Sequence, residues 1–233
     1  FGKIKTSVPD SLLCVLAILG LQGLSMIIQV VVTVITKTSG INSETAEMFS
    51  FSDDIVKNVV LVVYTIIIAA VTEELLCRGA LMKLFSPVNK TFALVASSLM
   101  FGLMHGNFNQ MFNGFMLGLV LGYAAMKSKS LKLSIICHMA ANTNAILLSY
   151  FEYKIGDSFF NIELIYAAVL AVIGIVSVIV LLKRNGKINE AEDGFPCETA
   201  IEIPEGEEKS LKWKLLFKSP CFWIFTVIYV FIA

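Results

Sequence analysis

The chain has 233 residues, of which 57% are hydrophobic and 15% charged. A water-soluble domain of this size is nearer half apolar and a quarter charged, so lipid is the expected solvent for much of it. Eighteen basic and eighteen acidic residues give a net charge of zero, which leaves no electrostatic footprint for nucleic acid.

The chain opens at Phe1 and closes inside an apolar run, as a piece trimmed from a longer protein would. The first apolar stretch, 11–35, is too long for a signal-peptide core and lacks a small-residue cleavage site, so no cleavable signal is expected. A spanning helix needs roughly 20 apolar residues to cross a hydrocarbon core of about 30 Å. In chain order such runs, or near approaches to them, cover 11–35, 59–84, 91–105, 111–126, 133–151 and 164–182, with a seventh at 215–233. None alternates with period two as a membrane barrel does, and in lipid a helix satisfies its own backbone. The expectation is an all-α polytopic transmembrane bundle of about 6–7 helices.

Placing the N-terminus in the cytosol sets Lys3, Lys5, Arg78, Lys83, Lys90, Lys127, Lys129, Lys132, Lys183, Arg184, Lys187, Lys209, Lys212, Lys214 and Lys218 on the inner side. That is fifteen of the eighteen basic residues, leaving Lys37, Lys57 and Lys154 outside. Cytosolic connections carry such an excess. Residues 185–210 hold Glu190, Glu192, Asp193, Glu198, Glu202, Glu205, Glu207 and Glu208 among Pro and Gly, the composition of a solvated linker. The functional domain is therefore expected in 1–184, with its core at 59–182, followed by the linker and a further helix at 211–233.

Ionisable side chains inside spanning helices cost roughly 2.5–3.5 kcal/mol each on insertion scales and mark functional sites. The second run carries Glu73, Glu74 and Arg78. Glu73 is expected about 15 Å from the inner end, near mid-membrane. Glu74 and Arg78 are four residues apart and share a helix face, so they are expected to pair. Glu73 is rotated ~100° from Glu74 and can serve as a general base. Both histidines also fall in apolar runs. Phe101 precedes His105 by one helical turn, and Asn142 follows His138 by one. A histidine and an amide on one face can aim two donors at a developing oxyanion.

The ordinary readings are weaker here. A lone buried histidine is usually a satisfied core residue and a lone Glu–Arg pair is usually structural. Both histidines and the acid pair, however, fall within one segment of the chain. The five cysteines, Cys14, Cys77, Cys137, Cys197 and Cys221, form no CxxC pair, and no structural disulfide is expected. Cys77 and Cys137 lie beside the motif residues, but neither has a base one turn away, so both read as small hydrophobes. Gly102 and Gly106 read as close-packing positions, and Gly114, Gly118 and Gly122 as a small-residue ridge. Counted from the nearest inner lysine, His105 is expected ~22 Å deep and His138 ~9 Å. A shared site would then require tilted helices or a turn near Gly106.

The set EExxxR at Glu73, Glu74 and Arg78, FxxxH at Phe101 and His105, and HxxxN at His138 and Asn142 resembles the family of CAAX prenyl proteases and bacteriocin-processing or self-immunity proteins, also called the Abi or CPBP family. The resemblance covers roughly 59–182. It implies an intramembrane endopeptidase open toward the cytosol, acting on a peptide or membrane-protein substrate in the lipid bilayer. By motif position Glu73 would be the catalytic glutamate and His105 its partner in activating water. His138 and Asn142 would stabilise the oxyanion, with Glu74, Arg78 and Phe101 supporting. No cofactor is required by this scheme. If zinc is present, Glu73, His105 and His138 would hold it, although the zincin HExxH spacing is absent. A non-catalytic immunity or peptide-binding protein on the same scaffold is the alternative, and a proton-coupled carrier is a third. A bacterial plasma membrane is the expected location.

Overall fold

A computed structural model describes residues 3–38, 50–86, 89–106 and 108–185. Residues 186–233, which take in the acidic linker and the seventh apolar run, lie outside the described residues. Among the described residues the chain is all helical, in six helices with no strand. These are α1 (Val8–Thr38), α2 (Ile55–Phe85), α3 (Lys90–Leu103), α4 (Phe108–Ser128), α5 (Leu131–Ile155) and α6 (Phe160–Asn185). A 3-10 turn, Gly156–Phe159, leads into α6.

Four of them, α1, α2, α5 and α6, are long and apolar enough to cross a membrane. Helix α3 has 14 residues, which at 1.5 Å each gives about 21 Å, short of a full crossing. The run 91–105 is therefore not a full span. The helix stops at Leu103, and His105 sits in the turn beyond it.

The described chain divides into two compact units. The first holds 3–7 and 73–134. The second holds 8–72 and 135–184. The boundaries fall inside α2 and α5, so Glu73 is the first residue of α2 in the first unit.

In the first unit α3 and α4 pack as an antiparallel pair through glycines. A Cβ added at Gly118 would lie 2.9 Å from Ser98 Cα, and one at Gly102 would lie 2.5 Å from the Met111 carbonyl. Without side chains there, the backbones approach closely, and in lipid that packing replaces the hydrophobic drive. Asn89 caps α3, its side chain accepting from Thr91 N at 2.8 Å and Phe92 N at 3.2 Å. Gly106 ends the helix at φ +63, the left-handed conformation that glycine adopts without strain. At the other end Met82, Ala93, Ala125 and Met126 form a small core against Phe85, Leu94 and Leu131.

In the second unit α1 crosses α6 where Gly20 meets Gly174. A Cβ at Gly20 would fall 2.1 Å from Gly174 Cα. Arg184 Nε at the end of α6 pairs with Asp10 at the start of α1 at 3.0 Å, so the two helices run antiparallel. Asp54 caps α2 by accepting from Val56 and Lys57. Beside it Phe51 packs edge-on against Tyr150, with ring centroids 5.4 Å apart. Tyr153 hydrogen-bonds Asp53, and the Lys154 ammonium lies 4.9 Å from the Tyr153 ring. Such aromatic and lysine clusters suit the level of the lipid headgroups.

Candidate active site

Helix α2 is not uniform. Two stretches, Tyr64–Ala69 and Leu75–Leu81, are π-helical. The second begins directly after Glu74 and contains Cys77 and Arg78. Wide turns of this kind are rare and gather at functional sites. Nothing in apolar periodicity signals them, so the sequence pattern suggests one regular helix.

The expected Glu74–Arg78 pair is present. Arg78 Nη1 donates to Glu74 Oε1 at 2.7 Å, and both side chains are 0% exposed. Arg78 Nη2 donates to the backbone carbonyl of Gly118 at 2.8 Å. The guanidinium carbon stands 4.7 Å from the centroid of the Phe101 ring. One cation thus holds α2, α3 and α4 together through an ion pair, a backbone bond and a cation–π contact. A buried charge is tolerated when it is paired and hydrogen-bonded in this way. Gly118 is a partner that the sequence reading treats as packing alone. Its role has no motif signal, because it offers a carbonyl oxygen, and it can do so because the helix at that position presents no side chain.

Phe101 extends this chain of contacts to His105. The two rings meet edge to face, with centroids 5.0 Å apart. His105 Nδ1 lies 2.9 Å from the Phe101 carbonyl. A carbonyl can only accept, so Nδ1 is the nitrogen that donates in this contact, and the tautomer with its hydrogen on Nδ1 has its lone pair on Nε2. The imidazole is exposed at the end of α3. A Cβ on Gly114 would lie 3.1 Å from His105 Nδ1 and 3.2 Å from Cε1, so that glycine makes the bed on which the ring rests. Glu73 is partly exposed, on the same helix as the pair. Cys77 is buried with its thiol 3.9 Å from the Met104 thioether, packing as a small apolar group.

His138 and Asn142 belong to the second unit, one turn apart on α5, with His138 buried and Asn142 half-buried. Asn142 Nδ2 donates to the Thr65 carbonyl at 2.7 Å. Thr65 lies in the first π stretch of α2, so a carbonyl in the widened ladder takes a side-chain donor. An amide nitrogen carries two hydrogens, and this bond engages one of them.

The sequence-expected residues are therefore divided. Glu73, Glu74, Arg78, Phe101 and His105 lie in the first unit and His138 and Asn142 in the second. Among the described residues no group of three or more His, Cys, Asp or Glu is arranged to hold a metal ion. Of the set named for zinc, the first unit supplies Glu73 and His105 and the second His138.

Residues 55–144 match the family model described as type II CAAX prenyl endopeptidase Rce1-like. The match takes in all seven motif residues and leaves α1 and α6 outside it. No curated protein and no solved structure matches the chain. Rce1-like proteins are proteases, which supports a hydrolase. With four helices able to cross a membrane, the chain is an integral membrane protein.

Proposed function

We propose, for a chain that belongs to the CAAX protease (CPBP) family through its Rce1-like domain at 55–144, an intramembrane endopeptidase that hydrolyses a peptide bond near the cytosolic side. The observation that carries this reading is the division between adjacent carboxylates. Glu74 is fully buried in an ion pair with Arg78, and Glu73 is the partly exposed one. The cytosolic placement of the N-terminus is supported by the sequence, in which that orientation would put fifteen of the eighteen basic residues on the inner side.

In this mechanism the Glu73 carboxylate takes a proton from water, and the water oxygen attacks the scissile carbonyl carbon. His105 orients that water by accepting its second hydrogen at Nε2, the nitrogen left with the lone pair by the bond to the Phe101 carbonyl. By motif position in the family resemblance, His138 and Asn142 would be the donors to the carbonyl oxygen as it becomes an oxyanion. On collapse the carbon–nitrogen bond breaks, and Glu73 returns its proton to the leaving amine. The second water hydrogen passes from the new carboxyl to the amine, so the products are a carboxylate and an ammonium group, and no oxidant enters the balance. General-base catalysis contributes typically ~10²–10⁴ in rate, and an oxyanion donor about 10²–10³.

The test uses purified chain in detergent with a prenylated CaaX peptide, reading the new amine released. Glu73→Gln is expected to lower turnover at least ~10²-fold while leaving membrane insertion and thermal midpoint unchanged. The same variant should trap uncleaved substrate from membranes. Full turnover in Glu73→Gln would overturn the mechanism. Peptide binding that is indifferent to both Glu73→Gln and His138→Ala, with no cleavage by the wild type, would instead support a non-catalytic binding protein.

A further inference from the structure

A directed chain of hydrogen bonds crosses the second unit among side chains that no motif contains. Tyr166 on α6 donates its hydroxyl to Asn144 Oδ1 at 2.5 Å. Asn144 on α5 donates Nδ2 to Gln22 Oε1 at 3.2 Å. Gln22 on α1 donates Nε2 to the Ala141 carbonyl at 2.9 Å. The terminal carbonyl can only accept, and this fixes every direction along the chain. Gln22 must present its nitrogen to Ala141 and its oxygen to Asn144, and Asn144 must then turn its oxygen to the tyrosine hydroxyl.

We infer that Gln22, Asn144 and Tyr166 are positioning residues for His138 and Asn142, an inference that rests on the peptidase reading of those two. Gln22 and Asn144 are 9% and 7% exposed, and two amides so placed need every bond they make. Replacing such a set with apolar groups of similar shape is close to neutral for stability. Stability alone therefore gives little reason to bury it. Its geometry gives a better one. The chain of bonds ends on the carbonyl of Ala141, directly before Asn142 and less than one turn after His138. Asn142 is held from another direction by the Thr65 carbonyl at 2.7 Å. Rotating α5 by about 20° would move the Asn142 amide at its side-chain surface by ~2 Å and the Ala141 carbonyl, near the backbone radius, by ~0.8 Å, which breaks the first attachment and stretches the second. The two bonds together fix the rotation of the segment that carries the proposed oxyanion donors. Gln22 and Tyr166 lie outside the Rce1-like match and Asn144 is its last residue, so the device joins α1 and α6 to a domain that does not include them.

The chain has two histidines, one in each unit, so imidazole nitrogen resonances of ¹⁵N-histidine-labelled protein in micelles report both sites separately. The variants are Gln22→Leu, Tyr166→Phe, and the triple Gln22→Leu, Asn144→Leu, Tyr166→Phe, which leaves none of the three polar groups behind. The His138 signals should shift or split in all three, least in Tyr166→Phe, with those of His105 unmoved. The triple should keep its thermal midpoint while kcat on the prenylated peptide falls at least about tenfold, roughly 1.4 kcal/mol, at unchanged KM. Unmoved His138 signals in a folded triple variant, or in Tyr166→Phe should the triple not fold, overturn the inference. A wild type that cleaves nothing, with His138 still shifted in the variants, overturns the peptidase reading and sustains the positioning role.

Discussion

The guanidinium carbon of Arg78 lies 4.7 Å from the centroid of the Phe101 ring, so the arginine of EExxxR and the phenylalanine of FxxxH are one contact rather than two separate signatures. That same ring meets the His105 imidazole nearly at right angles, at 5.0 Å between centroids. Glu74, Arg78, Phe101 and His105 form a continuous line of side chains from a buried ion pair to an exposed imidazole. The physical purpose of a phenylalanine at 101 is then specific. It presents a π face to a desolvated cation and its ring to the His105 imidazole.

Removing one partner of the ion pair leaves the other charged and fully buried. Arg78→Ala and Glu74→Ala are each expected to cost about 3–5 kcal/mol, read as loss of folded protein in a thermal scan in detergent. Changing both, to Arg78→Met with Glu74→Leu, should recover most of that loss, because no uncompensated charge remains. Single variants as stable as the wild type would mean that the pair is solvated.

Phe101→Leu keeps an apolar side chain but removes the ring. The lost cation–π contact is expected to cost ~1–2 kcal/mol at this desolvated position. Turnover should also fall, since the His105 ring loses its neighbour. The informative comparison is with Phe101→Tyr, which retains the face. If Leu and Tyr variants behave alike, the ring face contributes nothing.

Gly114→Ala places a Cβ 3.1 Å from His105 Nδ1. Backbone on one side and imidazole on the other leave the ring as the part that yields, and the bond to the Phe101 carbonyl is weakened. The ring must give by a few tenths of an ångström, and since misplacement of a catalytic group by about 1 Å can cost ~10² in rate, a fall of several-fold is expected. The expected signature is lower kcat with a thermal midpoint little changed. Unaltered kcat would show that His105 tolerates displacement or takes no part in turnover.

Gly174→Ala tests the second unit by packing alone. Its Cβ would come 2.4 Å from Gly20 Cα, which no rotamer change can relieve because the obstacle is backbone. Overpacking of this kind costs about 1–3 kcal/mol or more, and the α1–α6 crossing should loosen. Hydrogen exchange in α1 and α6 is the measurement. Unchanged protection in both helices would contradict the close approach.

Strong chelation provides the remaining test. If side chains alone activate water, activity should survive dialysis against a chelator. Activity lost to chelation and restored by Zn²⁺ alone would reassign Glu73, His105 and His138 as ligands.

Much of this protein is legible in its sequence, for a definite reason. Apolar runs of spanning length and the bias of lysine and arginine are properties of local chain in lipid, where each helix closes its own hydrogen bonds. The helix order and the Glu74–Arg78 pairing follow from such local rules. The tertiary structure decided what depends on another element's backbone. It ended α3 before His105, inserted two π stretches into α2, gave Arg78 the Gly118 carbonyl, and gave Asn142 the Thr65 carbonyl. It also drew Gln22 and Tyr166 to α5. A carbonyl oxygen and a missing Cβ belong to every chain and carry no residue signature. The partners of Arg78, Asn142 and Gln22 become visible only when helices distant in sequence are brought together.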